Sequence, residues 1–205
     1  MTRVPQRRTQ AERRADTEAK LIDATIRAIV EVGYAKTTTK EICRRAGISH
    51  GGLFGRFESV FDLVLAAAAE AGRRLIARFR EQFALLPDQS DLRGVLAVLR
   101  DNGRSEANAV WIELLVAART DAELRSRFEA VRNAYAAAIG EVAAMVPELA
   151  DLTPEALVTV GATVLQLFDG NAIVAAAYPV PELDDMQLTA CTTMVRAYLD
   201  TAPRR

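Results

Sequence analysis

The side chains best suited to recognising a polar partner gather in residues 38–57, TTKEICRRAGISHGGLFGRF. Thr38, Thr39 and Ser49 supply hydroxyls, His50 the chain's single imidazole, and Lys40 and Arg56 two cations. Such groups donate hydrogen bonds to phosphate oxygens or to acceptors on base edges. Gly51 and Gly52 leave bare backbone beside His50, which lets a surface come close. The same inventory argues against enzyme chemistry. One histidine cannot furnish a His-rich metal site, and neither a nucleophile motif nor a glycine-rich phosphate loop is present. Cys43 and Cys191 lie far apart within helical patterns and read as small buried residues, so no disulfide, metal or cofactor is expected.

The elements that must position these groups are legible around them. Thr38 and Glu41 have capping-box spacing, and Ile42, Cys43 and Ala46 then fall on one helical face. Gly47 stands where a helix end needs positive φ. Ser49 is a good N-cap for a second helix, with Ile48 and Leu53 spaced as a hydrophobic staple. Helix, glycine turn and capped helix make a helix-turn-helix, whose second helix enters the DNA major groove with its N-terminal residues at the base edges. Those residues here are Ser49, His50, Gly51 and Gly52, with Arg56 a turn further on.

Gly33-Tyr34, Thr37-Thr38, Ile42, Ala46-Gly47-Ile48-Ser49, Gly51, Leu53-Phe54 and Phe57 resemble the amino-terminal signature of the TetR family of bacterial transcriptional regulators. The resemblance is close over residues 17–65 and holds in outline beyond. It implies a dimer of Ω-shaped helical subunits, each with a DNA-binding head and a larger ligand-binding, dimerising body. It implies repression relieved when a small molecule binds the body. Thr38, Thr39 and Phe54 match phosphate-contacting positions, and Lys40 a position that reaches base or phosphate. Two residues depart from the pattern: Phe54 replaces the usual tyrosine, and Val60 a lysine common after the recognition helix.

Charge is partitioned along the chain. Residues 1–57 hold 12 Lys/Arg against 6 Asp/Glu, a net of +6, and residues 58–205 hold 14 against 21, a net of −7. A basic head on an acidic body suits a protein that touches phosphate at one end. Residues 1–16, with Arg3, Arg7, Arg8, Arg13 and Arg14, read as a flexible basic arm along the DNA. Residues 17–58 form the three-helix head, and residues 59–205 the body. The first helix is expected over residues 17–32, and its apolar face should pack on Ile42, Leu53 and Phe57. Further helices are expected over 59–83, 92–101, 106–119, 120–146, 154–178 and 184–201. The fold class is all-α, since no stretch alternates with strand period.

The helix over 154–178 is apolar nearly all round and must be covered on every side, a second copy of the chain being the natural cover. The resemblance assigns the last two helices to a four-helix dimer interface, and Asp169 to a structural role. No apolar run long enough to cross a bilayer is expected, and no membrane partner. In the body, Phe79, Phe83, Trp111, Phe128, Tyr135 and Phe168 are candidate lining residues of an apolar pocket, with Glu113, Gln166 and Asn171 as polar contacts. Together these point to a cytoplasmic homodimeric regulator, a repressor released from double-stranded operator DNA by a small, largely apolar effector. The alternative is a helical ligand-binding or scaffolding dimer with weak or lost DNA binding. Phe54 and Val60 favour it; the basic arm and the intact caps oppose it.

Overall fold

The computed structural model describes residues 9–205. Residues 1–8 of the expected arm lie outside them. The described residues are helical throughout, apart from turns, connecting segments and one isolated bridge between Leu152 and Arg204. α1 (Gln10–Val32) starts at residue 10 rather than 17. Thr9 and Glu12 form a capping box there: Glu12 N donates to the Thr9 hydroxyl at 3.2 Å, and Thr9 N to the Glu12 carboxylate at 2.8 Å. Residues 10–16, expected as part of a flexible arm, are therefore helical. They are good helix formers that need no apolar face once the end is capped.

Gly33, at φ 80°, ends α1, and a 3-10 turn over Tyr34–Lys36 leads into α2 (Thr39–Ala46) and α3 (His50–Phe54). Between α2 and α3, Gly47 adopts the left-handed conformation at φ 66°, ψ 31°, as a chain reversal after a helix requires. Ser59 caps α4 (Val60–Ala84) by accepting from Asp62 N at 3.1 Å. α5 (Leu92–Gly103) and α6 (Glu106–Ala118) follow. α7 (Ala122–Ala143), expected over 120–146, is capped by Asp121, which accepts from Leu124 N at 2.9 Å. The Thr120 hydroxyl donates back to Ala117 O. α7 gives way to a 3-10 turn at Pro147–Leu149, and α8 (Pro154–Ala177) and α9 (Pro181–Leu199) complete the body.

Two helices thread both halves of the molecule. In the head, Leu21 and Ala24 of α1 meet Ile42 and Cys43 of α2, Leu53 of α3 and Leu63 of α4, with Phe57 and Ile48 packed against them. Further along, Ile26 and Ile29 of α1 and Val64 to Leu75 of α4 pack on Val110, Trp111 and Leu114 of α6 and Leu124 and Phe128 of α7. Val60 touches both clusters. A third cluster joins Phe79 and Phe83 of α4 to α5 and the end of α7, and a fourth joins α5 to α8 and α9.

α8 corrects one expectation. Its most apolar 18-residue window has a mean hydropathy of 1.5, so by length and composition alone the helix could cross a membrane. Threonines and a glutamine break up its apolar run, but Asp169 is the one charge between Ala156 and Ala177. Val160, Val164 and Phe168 of α8 are buried on α5 and α9. Val158, Ile173 and Val174, at 69%, 50% and 60% exposure, form an outer face that the described residues do not cover.

Candidate nucleic-acid interface and body cavity

The head presents its polar groups at the α2–α3 corner. Thr38, Lys40, Ser49, His50, Gly51 and Phe54 are exposed, and Thr39, Gly52 and Arg56 half-buried. The Thr38 hydroxyl accepts from Glu41 N at 3.3 Å, which starts α2 as expected. The reciprocal half of that capping box does not form, because the Glu41 carboxylate is taken by Arg44 (2.7 Å) and Arg45 (2.6 Å). Arg45 also reaches Glu31 at 2.6 Å, tying α2 to α1. The hydrogen bonds from Arg44 and Arg45 hold the Glu41 carboxyl well below the usual range, at about 2.

Ser49 accepts from Gly52 N at 3.1 Å and so fixes the start of α3. His50 and Phe54 stand one turn apart on the same face, with ring centroids 6.3 Å apart. Phe54 is 51% exposed, an unusual place for a large apolar ring unless another surface covers it. Lys40 has no carboxylate partner among the described residues, leaving its charge free for phosphate. Arg56 is less available: its Nη1 donates to Gly55 O at 2.9 Å and its Nε is buried without a partner. The corner therefore offers a ridge of one imidazole, one aromatic ring, hydroxyls and one cation, of helix length suited to a groove.

The body holds an apolar cavity of about 90 Å³, partly open to the surface, lined by α4, α5, α7 and α8 and by Val195 of α9. Of the residues expected to line a pocket, Phe79 and Tyr135 do so. Phe83, Phe128 and Phe168 are core residues of the neighbouring clusters and do not reach it. Trp111 faces a separate groove between α4 and α7, with its ring tilted against Tyr135 at a centroid distance of 4.4 Å and Phe128 at 5.0 Å. The expected polar contacts are engaged or lie elsewhere. The Glu113 carboxylate accepts from Tyr34 N at 2.9 Å, bracing the body against the turn before α2. Asn171 binds Arg104 and Gln187, and Gln166 is exposed. Asp169 accepts from Asn108 at 2.7 Å, and burial raises its pKa.

Sequence reading overlooked Asn102, which falls one residue beyond the helix expected over 92–101. It belongs to α5 and lines the cavity, 7% exposed. The signal was available: Leu92, Val95, Leu96, Leu99 and Asn102 share the inward face of one helix, and an amide stands where an apolar residue fits.

Known proteins share this sequence pattern and fold. Residues 21–67 match the model of the bacterial regulatory proteins of the tetR family. An uncharacterized HTH-type transcriptional regulator of Mycobacterium tuberculosis is 39% identical over 193 residues, covering 94% of this chain and 99% of that protein. Among solved structures, a transcriptional regulator from Rhodococcus superposes with a TM-score of 0.69 at 23% identity, over 90% of this chain and 97% of the other. The multidrug binding protein EbrR, complexed with imidazole, superposes at 0.60 and 22% identity, over 87% and 93%. With its helix-turn-helix head and helical body, the chain belongs to the TetR family of bacterial transcriptional regulators.

Proposed function

We propose that this regulator is a homodimeric repressor that leaves its operator when a small, largely apolar molecule enters the body. The observation that carries the DNA-reading part is the α2–α3 corner, where exposed His50, Ser49, Lys40 and Thr38 stand on a capped two-helix support. Footprinting the purified protein on the promoter beside its own gene tests it. Two protected half-sites about one helical turn apart are expected. No protection at moderate salt would instead favour a ligand-binding helical dimer.

Homodimerisation is supported by the uncovered apolar faces of α8 and α9, where Val158, Ile173, Val174, Met186 and Met194 are exposed. On α9 these alternate with Glu182, Asp185 and Arg196, which suit a protein interface and not a lipid one. A cytoplasmic location agrees with this assignment.

Effector release is supported by α4. The same helix lines the cavity through Leu75 and Ile76 and enters the head core through Leu63, so a molecule that reseats α4 acts on the head. By linkage, operator DNA then lowers effector affinity by the factor by which effector lowers DNA affinity. Titrating an effector with and without operator measures that factor, and equal affinities would exclude coupling.

A further inference from the structure

One feature of the body cavity is not explained by packing. Asn102 Nδ2 donates to Leu75 O at 3.0 Å. A carbonyl oxygen can only accept, so this contact fixes the orientation of the amide and leaves Oδ1 as its other end. Oδ1 is itself covered, with almost no surface open even to the cavity that Asn102 lines, and it accepts no hydrogen bond from the described residues. A buried acceptor without a donor loses its hydration for nothing, and leucine or methionine would fill the same position without that cost. The rest of the lining is aliphatic apart from Phe79 and Tyr135, and no Asp, Glu, Lys, Arg or His among the described residues reaches it.

We propose that this cavity recognises a small uncharged molecule with an apolar body and one hydrogen-bond donor, a hydroxyl or an N–H, which Asn102 Oδ1 accepts. This assignment rests on the effector-binding reading above and specifies its chemistry. An anion or cation would enter a site with no counter-charge and lose its hydration uncompensated. A donor-free hydrocarbon would leave Oδ1 as it stands now. The cavity, at about 90 Å³, is smaller than the about 150 Å³ apolar cavity that admits benzene. A ring-sized guest therefore requires the half-buried Ile76, Leu99 and Leu165 to shift outward, and the same opening must uncover Asn102 Oδ1.

Calorimetry on the full-length protein without DNA, using phenol, toluene and benzoate at neutral pH, tests the assignment. Phenol is expected to bind about tenfold more tightly than toluene, the weight of one hydrogen bond, and benzoate more weakly than either. In Asn102→Leu, phenol falls to the affinity of toluene while toluene holds or gains. Equal binding of phenol and toluene by the wild-type protein overturns the proposal. So does a preference for benzoate, or the failure of phenol to bind at millimolar concentration. The wild-type comparison stands even if the variant does not fold. If phenol is selected yet operator affinity does not change, the cavity assignment survives and effector release falls. If an unrelated compound releases the operator while phenol and toluene bind alike, the reverse holds.

Discussion

His50 is the residue on which base preference should turn. It is exposed at the first position of α3, and its pairing capacity suits a purine acceptor. His50→Ala is expected to cost about 1–3 kcal/mol at one base pair per half-site and to leave the salt dependence of binding nearly unchanged, as competition with single-base operator variants measures. Phe54 offers the converse. Its exposed ring lacks the tyrosine hydroxyl seen at this place in the family pattern, so Phe54→Tyr adds a phosphate donor at an open position. Binding should tighten up to about tenfold on operator and unrelated DNA alike. Val60, the other departure, packs on two clusters, so a lysine there would lose apolar contact before it met phosphate. Glu41 sets a pH limit on the head. Its pKa is depressed to about 2 by Arg44 and Arg45, so its contribution is complete above the unfolded carboxylate range and drains away as pH falls toward 2. Thermal melts between pH 5 and 2.5 should show a steeper loss for wild type than for Glu41→Gln. The caps Thr38 and Ser49 were readable because they depend on neighbours three residues away. The fate of the Glu41 carboxylate was not, because Arg45 is also drawn by Glu31 from another helix.

At the scale of elements, α3 carries an apparent contradiction: a reading helix of five residues contains Gly51 and Gly52, each about 1 kcal/mol less favourable than alanine. The two are not equivalent. A Cβ on Gly51 would meet nothing within 4 Å, whereas one on Gly52 would lie 2.7 Å from Ile48 Cγ2, inside the staple that seats the helix. Gly51→Ala is therefore expected to stabilise the head by up to about 1 kcal/mol while placing a methyl group on the groove-facing surface, weakening DNA binding. Gly52→Ala should destabilise the head by displacing Ile48. Hydrogen exchange of the α2–α3 amides, beside operator titration, separates the effects; equal behaviour of both variants would mean that propensity alone governs α3. Helices with an apolar stripe and a cap, such as α4 and α8, were placed within a few residues by period and punctuation. The start of α1 was missed because its first turns are polar, and a helix held by a cap alone shows no period. α7 starts two residues later than expected because Thr120 and Asp121 can both cap, and only the packed chain chooses.

For the whole molecule, the basic head and acidic body followed from charge counts, but the cavity did not, since it is bounded by side chains from α4, α5, α7, α8 and α9 far apart in sequence. Aromatic residues were natural candidates for its wall, yet most of them fill cores, and aliphatic residues with one amide make up the wall beside Phe79 and Tyr135. The outer faces of α8 and α9 lead to the last prediction. Ala176 and Val174 are exposed on the outside of α8, and neither lines the cavity, unlike Gly161. Arginine at either place puts a charge into a contact that needs close, dry approach, while the subunit's own core is untouched. Val174→Arg or Ala176→Arg should thus leave the helical content of the monomer intact and shift sedimentation at micromolar concentration from dimer to monomer. Operator binding should fall much further than any single phosphate contact could explain, because a monomer occupies one half-site and forfeits the advantage of tethering the second. Binding to an isolated half-site should stay near wild type, which distinguishes lost pairing from a damaged head. A wild-type protein that sediments as a stable monomer under these conditions would require another cover for α8, and the two-half-site operator would go with it.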